Sequence, residues 1–525
     1  MKKILSLVLA LAMLLSMVLT ATAEEAEVYR FDKPVTLKVS VFDRGNAGGT
    51  APDDNYYTKW IQENFGDPRN ITIEWVVIPR SEEEAKLNQL LAGGPETAPD
   101  LCFTYNGNLT GSYVEQGGLL ELTELLDQYG PNIKKLLGEN VINAGRKNGG
   151  LYAICARRVN IADQGVFIRK DWVEKAGLEM PTTKAELLDV LRYFRDNDMD
   201  GDGNPSNEIP WAFSSDLRVG SSAIFSLSFL KDVSDRTMAC SPRPMIDGYK
   251  DYALFLNQMY HEGLISPDFA LDKTEVYFND ITSGRAGVYQ SNWDHPIRVS
   301  PGILAALQTY LPEAELAPLE CFESASDPTK YYHGMYGAHG LNNFIPVYSK
   351  HPEAAMMYLD WLCQPDVIFA LQNGVEGITY DLNEDGVPVV KNPDEANHDK
   401  TFNSMQNLDY TLLINGQYLA DESLLIKAQA LSYQGYADEY EALYKAFHKD
   451  PLNTGWTFEV VLQASSEYGT RLGEFENEML TKVTMADPAE ASALFDKMLE
   501  EYKAMGGQAC YDEATAAWDA AHPAQ

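Results

Sequence analysis

The chain has 525 residues, and 45% of them are hydrophobic, which is enough for two or three folding units with packed cores. Its formal net charge of -36 at pH 7 disfavours nucleic acid and anionic membranes as partners. The same charge disfavours an anionic ligand unless a local basic pocket overrides it. The six cysteines are scattered without a CxxC pair, which indicates buried thiols rather than a disulfide framework.

The first 23 residues have the pattern of a cleavable export signal. Two lysines precede an apolar run over residues 4–19, which is too short for a comfortable membrane span. A small-x-small sequence then ends at Ala23 and is followed by two glutamates. We therefore expect cleavage after Ala23 and export of the remaining chain. Because the first cysteine is Cys102, we expect no lipid-modified cysteine directly after the signal.

The mature chain begins with strand patterns that alternate with helical patterns. The strand patterns, in which branched apolar residues are prominent, cover residues 35–42, 70–79 and 100–105. Between them, residues 55–66 and 81–94 have helical patterns, and Ser81 is the predicted N-cap of the second helix. This alternation predicts an α/β fold with a mainly parallel, helix-covered sheet.

The pattern continues into the middle of the chain. Residues 119–137 are predicted to be helical, and residues 149–158 and 165–178 predict a strand pair that leads into a helix. A further helix begins with a Thr183-x-x-Glu186 capping box. The C-terminal third is again helical. Since no low-complexity linker is present, two lobes would have to be joined by strands that pass between them.

A loop rich in aspartate follows that helix. Four aspartates occupy every second position from Asp196 to Asp202, ahead of a Glu-Ile-Pro-Trp sequence. An EF-hand-type loop needs oxygen ligands at positions 1, 3 and 5, a glycine at 6 and a carboxylate at 12. A loop that begins at Asp198 fits the first four and puts Glu208 at position 11, whereas one that begins at Asp196 puts Asn207 at position 12. The first register is better, because Glu208 can close the loop.

Three carboxylates packed this closely repel one another unless a divalent ion neutralises them. We therefore predict a structural Ca2+ site, with its late ligands left open, formed from Asp198, Asp200, Asp202, Asn204, Ser206, Asn207 and Glu208. A solvated acidic turn is the alternative. Catalysis is disfavoured, because the acid and base that flank a glycosidic bond are about 5 to 9.5 Å apart on opposite sides of the substrate.

The order of several motifs resembles one known family over nearly the whole mature chain. These motifs are PDDNYYTKWIQENFG, LLAGGPETAPDLCF, YVEQGGLLELTELL, IRKDWVEKAGLEMPTTKAELLDVLRYFRD, DMDGDGNPSNEIPWAF, HEGLISPDF, ITSGRAGVYQSNW, HPEAAMMYLDWL and NGVEGITYDLNEDGVPV. Together they resemble the extracellular solute-binding proteins of carbohydrate ABC transporters. The resemblance is greatest to a long, oligosaccharide-type subgroup with many lipoproteins, which includes the alginate-binding proteins. That family has a similar calcium loop, with one residue fewer before the glutamate.

The resemblance implies a two-lobed, periplasmic-binding-protein-like α/β fold of type II, in which crossing strands form a hinge. The first lobe would comprise residues 24–165 and about 338–390. The second would comprise residues 166–337 and about 391–525, with the calcium loop and the C-terminal helices. The implied function is capture of a carbohydrate by closure of the lobes and delivery to the transmembrane subunits of an ABC permease. We expect a monomer without catalytic activity.

Sugars bind by stacking on aromatic rings while polar side chains hold their hydroxyl groups. Ligands of α/β sheets contact the carboxyl ends of strands, where this chain has Asp43, Arg44, Tyr105, Asn106, Arg157, Trp211 and Trp293. By resemblance, Trp293 lines the cleft, and Tyr336 stands where a crossing strand would return to the first lobe. Glu376 and Tyr380 match a family motif that contacts the ligand or supports the hinge.

The neighbouring Arg157 and Arg158 would suit a carboxylate or phosphate of the ligand, or else form surface salt bridges. Two other functions stay open. A secreted glycoside hydrolase would need a carboxylate pair across the cleft, and a surface protein that binds peptides or other polar ligands would need no transporter. The sequence gives catalysis little support: it has no HExxH pattern, VGSSA at 219–223 is not a GxSxG elbow, and GNAGGT at 45–50 is not a P-loop.

Overall fold

The computed structural model describes residues 29–45, 49–218, 224–298, 302–419, 421–433 and 435–523. The predicted export signal and the VGSSA sequence lie outside these ranges. Among the helices within them, none is both long and apolar enough to cross a membrane.

Two large hydrophobic cores divide the structure into two lobes. The first core combines residues 35–156 with residues 341–371 and 410–413. The second core extends from residue 166 to residue 498, and a smaller cluster around Phe167, Trp293 and Phe447 belongs to the same lobe. Each core therefore joins segments that are distant in sequence. The predicted two-lobed α/β fold is confirmed.

The chain builds the two lobes in turn, first one and then the other. The first segment of the first lobe contains β1 (Val35–Asp43), α1 (Tyr56–Ile61), α2 (Asp67–Arg69), β2 (Ile71–Pro79), α3 (Glu83–Ala92), β3 (Cys102–Thr104), α4 (Gly107–Glu115), α5 (Thr123–Tyr129), α6 (Pro131–Asn143), β4 (Arg146–Lys147), β5 (Gly150–Leu151) and β6 (Ile154–Arg158). The second lobe then contributes β7 (Gln164–Arg169), α7 (Lys170–Lys175), α8 (Lys184–Asp196), β8 (Ile209–Trp211), α9 (Ile224–Leu227), α10 (Asp235–Cys240), α11 (Tyr249–His261), α12 (Thr274–Thr282), β9 (Ala286–Asn292), α13 (Ile303–Tyr310), β10 (Leu316–Pro318) and β11 (His333–Met335).

The chain then returns to the first lobe and crosses once more. The returning segment contains β12 (His339–Phe344), α14 (Pro352–Trp361), α15 (Pro365–Asn373), β13 (Tyr380–Leu382), β14 (Pro388–Val390) and β15 (Ile414–Asn415). The last segment belongs to the second lobe and contains α16 (Leu425–Ser432), α17 (Ala437–Phe447), β16 (Pro451–Asn453), α18 (Gln463–Met485), α19 (Pro488–Tyr502) and α20 (Gln508–Ala521).

The central sheet of the first lobe is mixed rather than mainly parallel. Its hydrogen-bonded order is β15-β6-β12-β3, and a parallel bridge between Val39 and Leu101 joins it to the parallel pair β1–β2. Strand β12 is antiparallel to both β3 and β6, because it enters this lobe from the second one. The sequence could not show this, since the sense of a strand depends on where the chain comes from.

The second lobe contains a four-stranded sheet with the order β10-β7-β9-β8. Strand β7 is antiparallel to β9 and β10, whereas β8 is parallel to β9. Helix α8 packs against this sheet through a face predicted from its periodicity: Leu187, Leu188, Val190, Leu191 and Phe194 are all buried. The aspartate loop directly follows this helix.

Three connections cross between the lobes, after β6, after β11 and after β15. The predicted strand pair around residues 149–178 is corrected here, because β6 and β7 lie in different sheets and are consecutive parts of one crossing. The lobe boundary predicted near residue 390 also differs from the packing. Tyr410, Leu412 and Leu413 are fully buried in the core of the first lobe.

Two predicted helix caps have different outcomes. Ser81 is not an N-cap, because it lies within a 3₁₀ turn and the helix starts at Glu83 without a side-chain cap. Thr183 does cap α8, and its hydroxyl accepts the N–H of Glu186 at 3.2 Å. The Glu186 carboxylate instead accepts the N–H of Thr182 at 2.8 Å, one residue before the expected position.

Candidate functional site

The crossing between the lobes brings a cation and an aromatic ring together. The guanidinium carbon of Arg158, at the end of β6, lies 4.2 Å from the centroid of the Tyr336 ring. Tyr336 follows β11 on the neighbouring crossing segment, and its N–H donates to Ile161 at 2.8 Å. Burial, and then the charge of Asp163, which is 7% exposed, raise the pKa of the Tyr336 hydroxyl. Main-chain pairing of two crossing segments thus sets this stack.

The first lobe adds an ion pair to this position. Arg44, just after β1, donates from Nε and a terminal nitrogen to the Asp409 carboxylate, and both hydrogen bonds are 2.8 Å long. Burial opposes the charge of Arg44, but the hydrogen bonds to Asp409 outweigh it and raise the pKa of Arg44. Tyr105, after β3, lies within the electrostatic influence of Arg44 and of Arg158. Burial raises the pKa of Tyr105, so its hydroxyl stays protonated at neutral pH.

The second lobe contributes a similar buried pair. Arg298 lies 2.7 Å from the carboxylate of Asp294, which also accepts the Tyr433 hydroxyl at 2.5 Å. Burial opposes ionisation of Asp294, yet the charge of Arg298 outweighs it and lowers the pKa of Asp294. Arg298 in turn acts electrostatically on Tyr336. The two lobes therefore present polar groups to one central ring.

The carboxylates of this cluster are all held by hydrogen-bond donors of the protein. Asp409 has Arg44, Asp294 has Arg298 and Tyr433, and Asp163 accepts a long hydrogen bond of 3.4 Å from the side chain of Gln164. The ion pairs hold the side chains of Arg44 and Arg298 in place. This arrangement does not resemble the acid and base of a glycosidase, which must act on the substrate rather than on neighbouring side chains.

The structure brings three of the predicted ligand residues into this cluster, namely Arg44, Tyr105 and Tyr336. The sequence analysis named Arg158, together with Arg157, as a possible partner of a ligand carboxylate or phosphate, and it missed Asp163, Asp294, Arg298, Asp409 and Tyr433. Asp294 directly follows Trp293 and could have been found from the same strand exit. For Asp409 and Tyr433 the sequence offers no strand pattern that would place them here.

Two predicted tryptophans are core residues, which corrects their assignment. Trp211 is fully buried, with its ring centroid 4.6 Å from that of Phe225. Trp293 is 3% exposed, and its nearest ring partner, Tyr440, lies 5.3 Å away. A ring that is enclosed in this way has no face available for a sugar. Both tryptophans lie on the side of the sheet that faces the core. Which side a side chain joins depends on the sheet and not on the local sequence motif.

The remaining predicted residues have local structural contacts. The Asn106 side chain caps α4 by accepting the N–H of Asn108 at 2.9 Å, and Asp43 accepts the N–H of Gly45 at 2.9 Å. Arg157 donates its N–H to Leu413 at 2.9 Å. Glu376 is exposed, whereas Tyr380 is 7% exposed and lies 5.6 Å from Phe369, ring to ring. None of these contacts tests whether these residues bind a ligand, so their ligand roles stay predictions.

The aspartate loop folds into a compact acidic turn. One carboxylate oxygen from each of Asp198, Asp200 and Asp202 lies within 4.8 Å of the others. Asp198 accepts the N–H of Gly201 at 2.7 Å and that of Gly203 at 2.9 Å. Both glycines have positive φ, 82° and 88°, which bends the chain back over the first aspartate. The register that begins at Asp198 therefore organises the loop.

Two buried oxygens at the end of this loop have no hydrogen-bond partner among the described residues. Glu208 accepts the N–H of Met199 through Oε1 at 2.7 Å, while its Oε2 is buried and unpartnered. The Asn207 side chain donates to Asp202 at 2.7 Å, and its Oδ1 is likewise buried and unpartnered. Unsatisfied oxygens are costly to bury, and hard cations prefer carboxylate and amide oxygens as ligands. The donor set therefore fits Ca2+.

A comparison with protein families matches residues 48–368, more than half of the chain, to the bacterial extracellular solute-binding proteins. The chain belongs to this family. Two relatives of this solute-binding protein come from Bacillus subtilis strain 168. Lipoprotein LipO is 24% identical over 474 residues, and the polygalacturonan/rhamnogalacturonan-binding protein YtcQ is 24% identical over 457 residues. Each alignment covers 84% of this chain and 84% of the relative.

Solved structures share the fold of this solute-binding protein. Alginate-binding protein AlgQ2, determined without calcium ion, has a TM-score of 0.64 and 19% identity, and the match covers 94% of this chain and 100% of AlgQ2. An EF-hand mutant of the Streptococcus pneumoniae substrate-binding protein FusA, in complex with fructo-nystose, has a TM-score of 0.62 and 17% identity over 93% of this chain and 99% of FusA. The resemblance read from the sequence motifs is confirmed.

Proposed function

We propose that this solute-binding protein captures an oligosaccharide outside the cytoplasm and delivers it to the transmembrane subunits of an ABC permease. The observation that carries the proposal is the Arg158–Tyr336 stack at the crossing, which lies within the electrostatic influence of Tyr105 of one lobe and Arg298 of the other. The aromatic ring of such a cluster can stack on the apolar C–H face of a sugar, and its arginine and tyrosine donors can bind the hydroxyl groups. YtcQ and FusA, which are named for binding oligosaccharides or polysaccharides, support the same substrate class.

The mechanism is capture by closure rather than turnover. The crossings at residues 159–163 and 336–338, and the one that leaves β15 at residues 416–419, act as the hinge, because each links elements that belong to different cores. An oligosaccharide that contacts both lobes stabilises the closed form, which then docks on the permease as a monomer. We propose that the chain is exported and that the signal is cleaved after Ala23.

We further propose that the aspartate loop binds Ca2+ and serves the fold. Asp198, Asp200 and Asp202 supply carboxylates, and the unpartnered oxygens of Asn207 and Glu208 complete the set at the other end of the loop. Asn204 and Ser206 remain candidate ligands from the sequence. A bound ion would neutralise the carboxylates and hold the turn between α8 and β8.

Titration with a panel of oligosaccharides by isothermal calorimetry tests the proposed function. At least one oligosaccharide is expected to bind with a Kd near the micromolar range, which corresponds to a binding free energy of about -8 kcal/mol. Incubation with the protein should not convert that oligosaccharide into products. Tyr336→Ala should weaken that binding, whereas Tyr310→Ala, at a residue that is 74% exposed, is the matched control. Binding of peptides alone would refute the carbohydrate proposal, and release of shorter sugars would favour the hydrolase.

A further inference from the structure

The three arginines of the crossing cluster differ in how their charges are balanced. Arg44 and Arg298 form close ion pairs with Asp409 and Asp294. Arg158 forms no ion pair with any carboxylate among the described residues. Its side chain donates a long hydrogen bond of 3.4 Å from Nε to the carbonyl oxygen of His339. The guanidinium therefore keeps N–H groups without a close acceptor among the described residues.

This missing carboxylate is unusual for the position of Arg158. The side chain is partly buried, and burial lowers the pKa of Arg158 because the charged form loses solvation. Asp163 acts electrostatically on both Arg158 and Tyr336, but it forms no ion pair with Arg158. A buried cation without an ion-pair partner costs free energy. The chain has 77 acidic residues against 41 lysines and arginines, so carboxylates are plentiful in its composition.

Lys147 is a further cation near Arg158, because both charges act on the same histidine, His339. Burial first, and then the charges of Arg158 and Lys147, lower the pKa of His339. Lys147 donates from Nζ to the carbonyl oxygen of Phe458 at 2.5 Å, and within the described parts of the chain it has no ion pair with a carboxylate. Among the described residues, the crossing thus has two cations, Arg158 and Lys147, without an ion-paired carboxylate, inside a protein of net charge -36. Such a local basic site is the condition under which an anionic ligand can bind to an acidic protein.

The Tyr336 ring also fixes how Arg158 can act. A guanidinium stacked on an aromatic face keeps its plane parallel to the ring and directs its N–H groups outward. That fork matches the two oxygens of a carboxylate, which neutral sugars lack. The stack on Tyr336 therefore orients the guanidinium of Arg158, and the guanidinium favours a negatively charged group of the ligand.

We infer that the ligand is an acidic oligosaccharide, and that a uronic-acid carboxylate binds to Arg158 where it lies on Tyr336. The inference rests on the proposed function and narrows its substrate class from oligosaccharides in general to carboxylated ones. The carboxylate supplies the negative partner that the protein itself withholds from this arginine.

Calorimetry with matched trisaccharides tests the inference. The probes are trigalacturonate, trimannuronate and triglucuronate, their methyl esters, which keep the size but remove the charge, and neutral maltotriose and kestose, all in one calcium-containing buffer. At least one uronate trisaccharide is expected to bind at least about tenfold more tightly than its ester. The advantage should shrink when the salt concentration rises from about 50 to about 200 mM, because screening weakens the ion pair.

Variants assign the preference to the arginine. Arg158→Gln should remove the advantage of the acid over the ester, while Arg158→Lys, which keeps the charge but loses the planar fork, should retain part of it. Arg69→Gln is the control, because Arg69 also lies over a ring, 4.6 Å from the Phe65 centroid, and burial lowers its pKa too, but it belongs to the surface of the first lobe. Melting curves confirm that each variant is folded.

The outcomes separate the inference from the proposed function. Equal affinity for acid and ester, or binding of neutral trisaccharides alone, overturns the acidic ligand and leaves the oligosaccharide-binding function standing. An acid preference that persists in Arg158→Gln also overturns the assigned site. If no trisaccharide of either kind binds, the proposed function fails and the inference fails with it.

Discussion

The carboxylate of Asp409 and the guanidinium of Arg44, which are 365 residues apart in sequence, are joined by two hydrogen bonds of 2.8 Å. Asp409 is fully buried, and the Arg44 side chain is 23% exposed. The pair connects the loop after β1 with the segment that precedes β15. It therefore ties the beginning of the first lobe to its last crossing.

Replacing Asp409 with asparagine should destabilise the first lobe. The change leaves Arg44 partly buried without its counter-charge, and we expect the free energy of unfolding to fall by about 3 kcal/mol. Urea denaturation followed by tyrosine and tryptophan fluorescence measures it. Asp54→Asn is the control: the side chains of its ion pair with Lys59 are 74% and 65% exposed, so solvent screens the pair and little stability should be lost. Equal small losses in both variants would show that burial adds nothing to the first pair.

Removing calcium should lower the melting temperature, and adding it back should restore it, because the ion offsets the repulsion of three carboxylates. Glu208→Gln should weaken calcium binding by at least about tenfold, since the amide still accepts the Met199 N–H but lacks the charge. Asp196→Asn is the control, because Asp196 pairs with Arg195 outside the loop. A chelator without effect would refute the structural-calcium proposal, and a larger effect of Asp196→Asn would favour the other register.

Acidification should destabilise the second lobe through His333. The ring is 1% exposed, neither nitrogen has a hydrogen-bond partner among the described residues, and burial lowers its pKa to about 4. The unfolded chain takes up a proton near the ordinary histidine pKa of about 6.5, whereas the folded protein does not until about 4. Stability is therefore complete above about pH 6.5 and falls by up to about 1.4 kcal/mol per pH unit down to about pH 4.

His333→Phe should flatten this pH dependence, because phenylalanine cannot take up the proton in the unfolded state. Denaturation midpoints at several pH values between about 7 and 4 give the slope. The exposed His261 provides the control variant His261→Gln, which should leave the slope unchanged. An unchanged slope in His333→Phe would assign the acid sensitivity to other groups, of which the buried His295, with its pKa also lowered by burial to about 4, is the first to examine.

The tryptophan at the end of β9 should matter for stability and not for ligand affinity. Trp293→Phe opens space beside Tyr440 and should cost about 2 kcal/mol of unfolding free energy, with affinity for the bound oligosaccharide changed by less than about twofold. Tyr336→Phe keeps the ring but removes the hydroxyl, on which the charge of Asp163 acts, and should change affinity more than Trp293→Phe does. A larger affinity loss in Trp293→Phe would return that tryptophan to the ligand site.

The local elements were predictable because their signals are local. The nine-residue strand Val35–Asp43 follows from alternation, and the helix break at Gly130 follows from the glycine–proline pair. The aspartate loop followed from its spacing, and the structure places the three predicted carboxylates together. In each case the residues that decide the structure lie within one or two turns of chain.

The crossing cluster could be predicted only in part. Position at strand ends identified Arg44 and Tyr105, since the carboxyl end of a strand is a local property. The same rule failed for Trp211 and Trp293, because it does not say which face of the sheet a side chain joins. It also gave no access to Asp409, whose place depends on a long return of the chain.

By itself the sequence determined the two-lobed fold, the family and the acidic loop, because each rests on periodicity, spacing or motif order along the chain. Only the tertiary structure decided which charges are balanced. Arg44, Arg158 and Arg298 are the same residue type, and nothing in the sequence separates them. In the structure, Arg44 and Arg298 pair with buried carboxylates, whereas Arg158 lies over a tyrosine ring. That difference arises where three distant segments cross, and the energy of a charge depends on its neighbours in space.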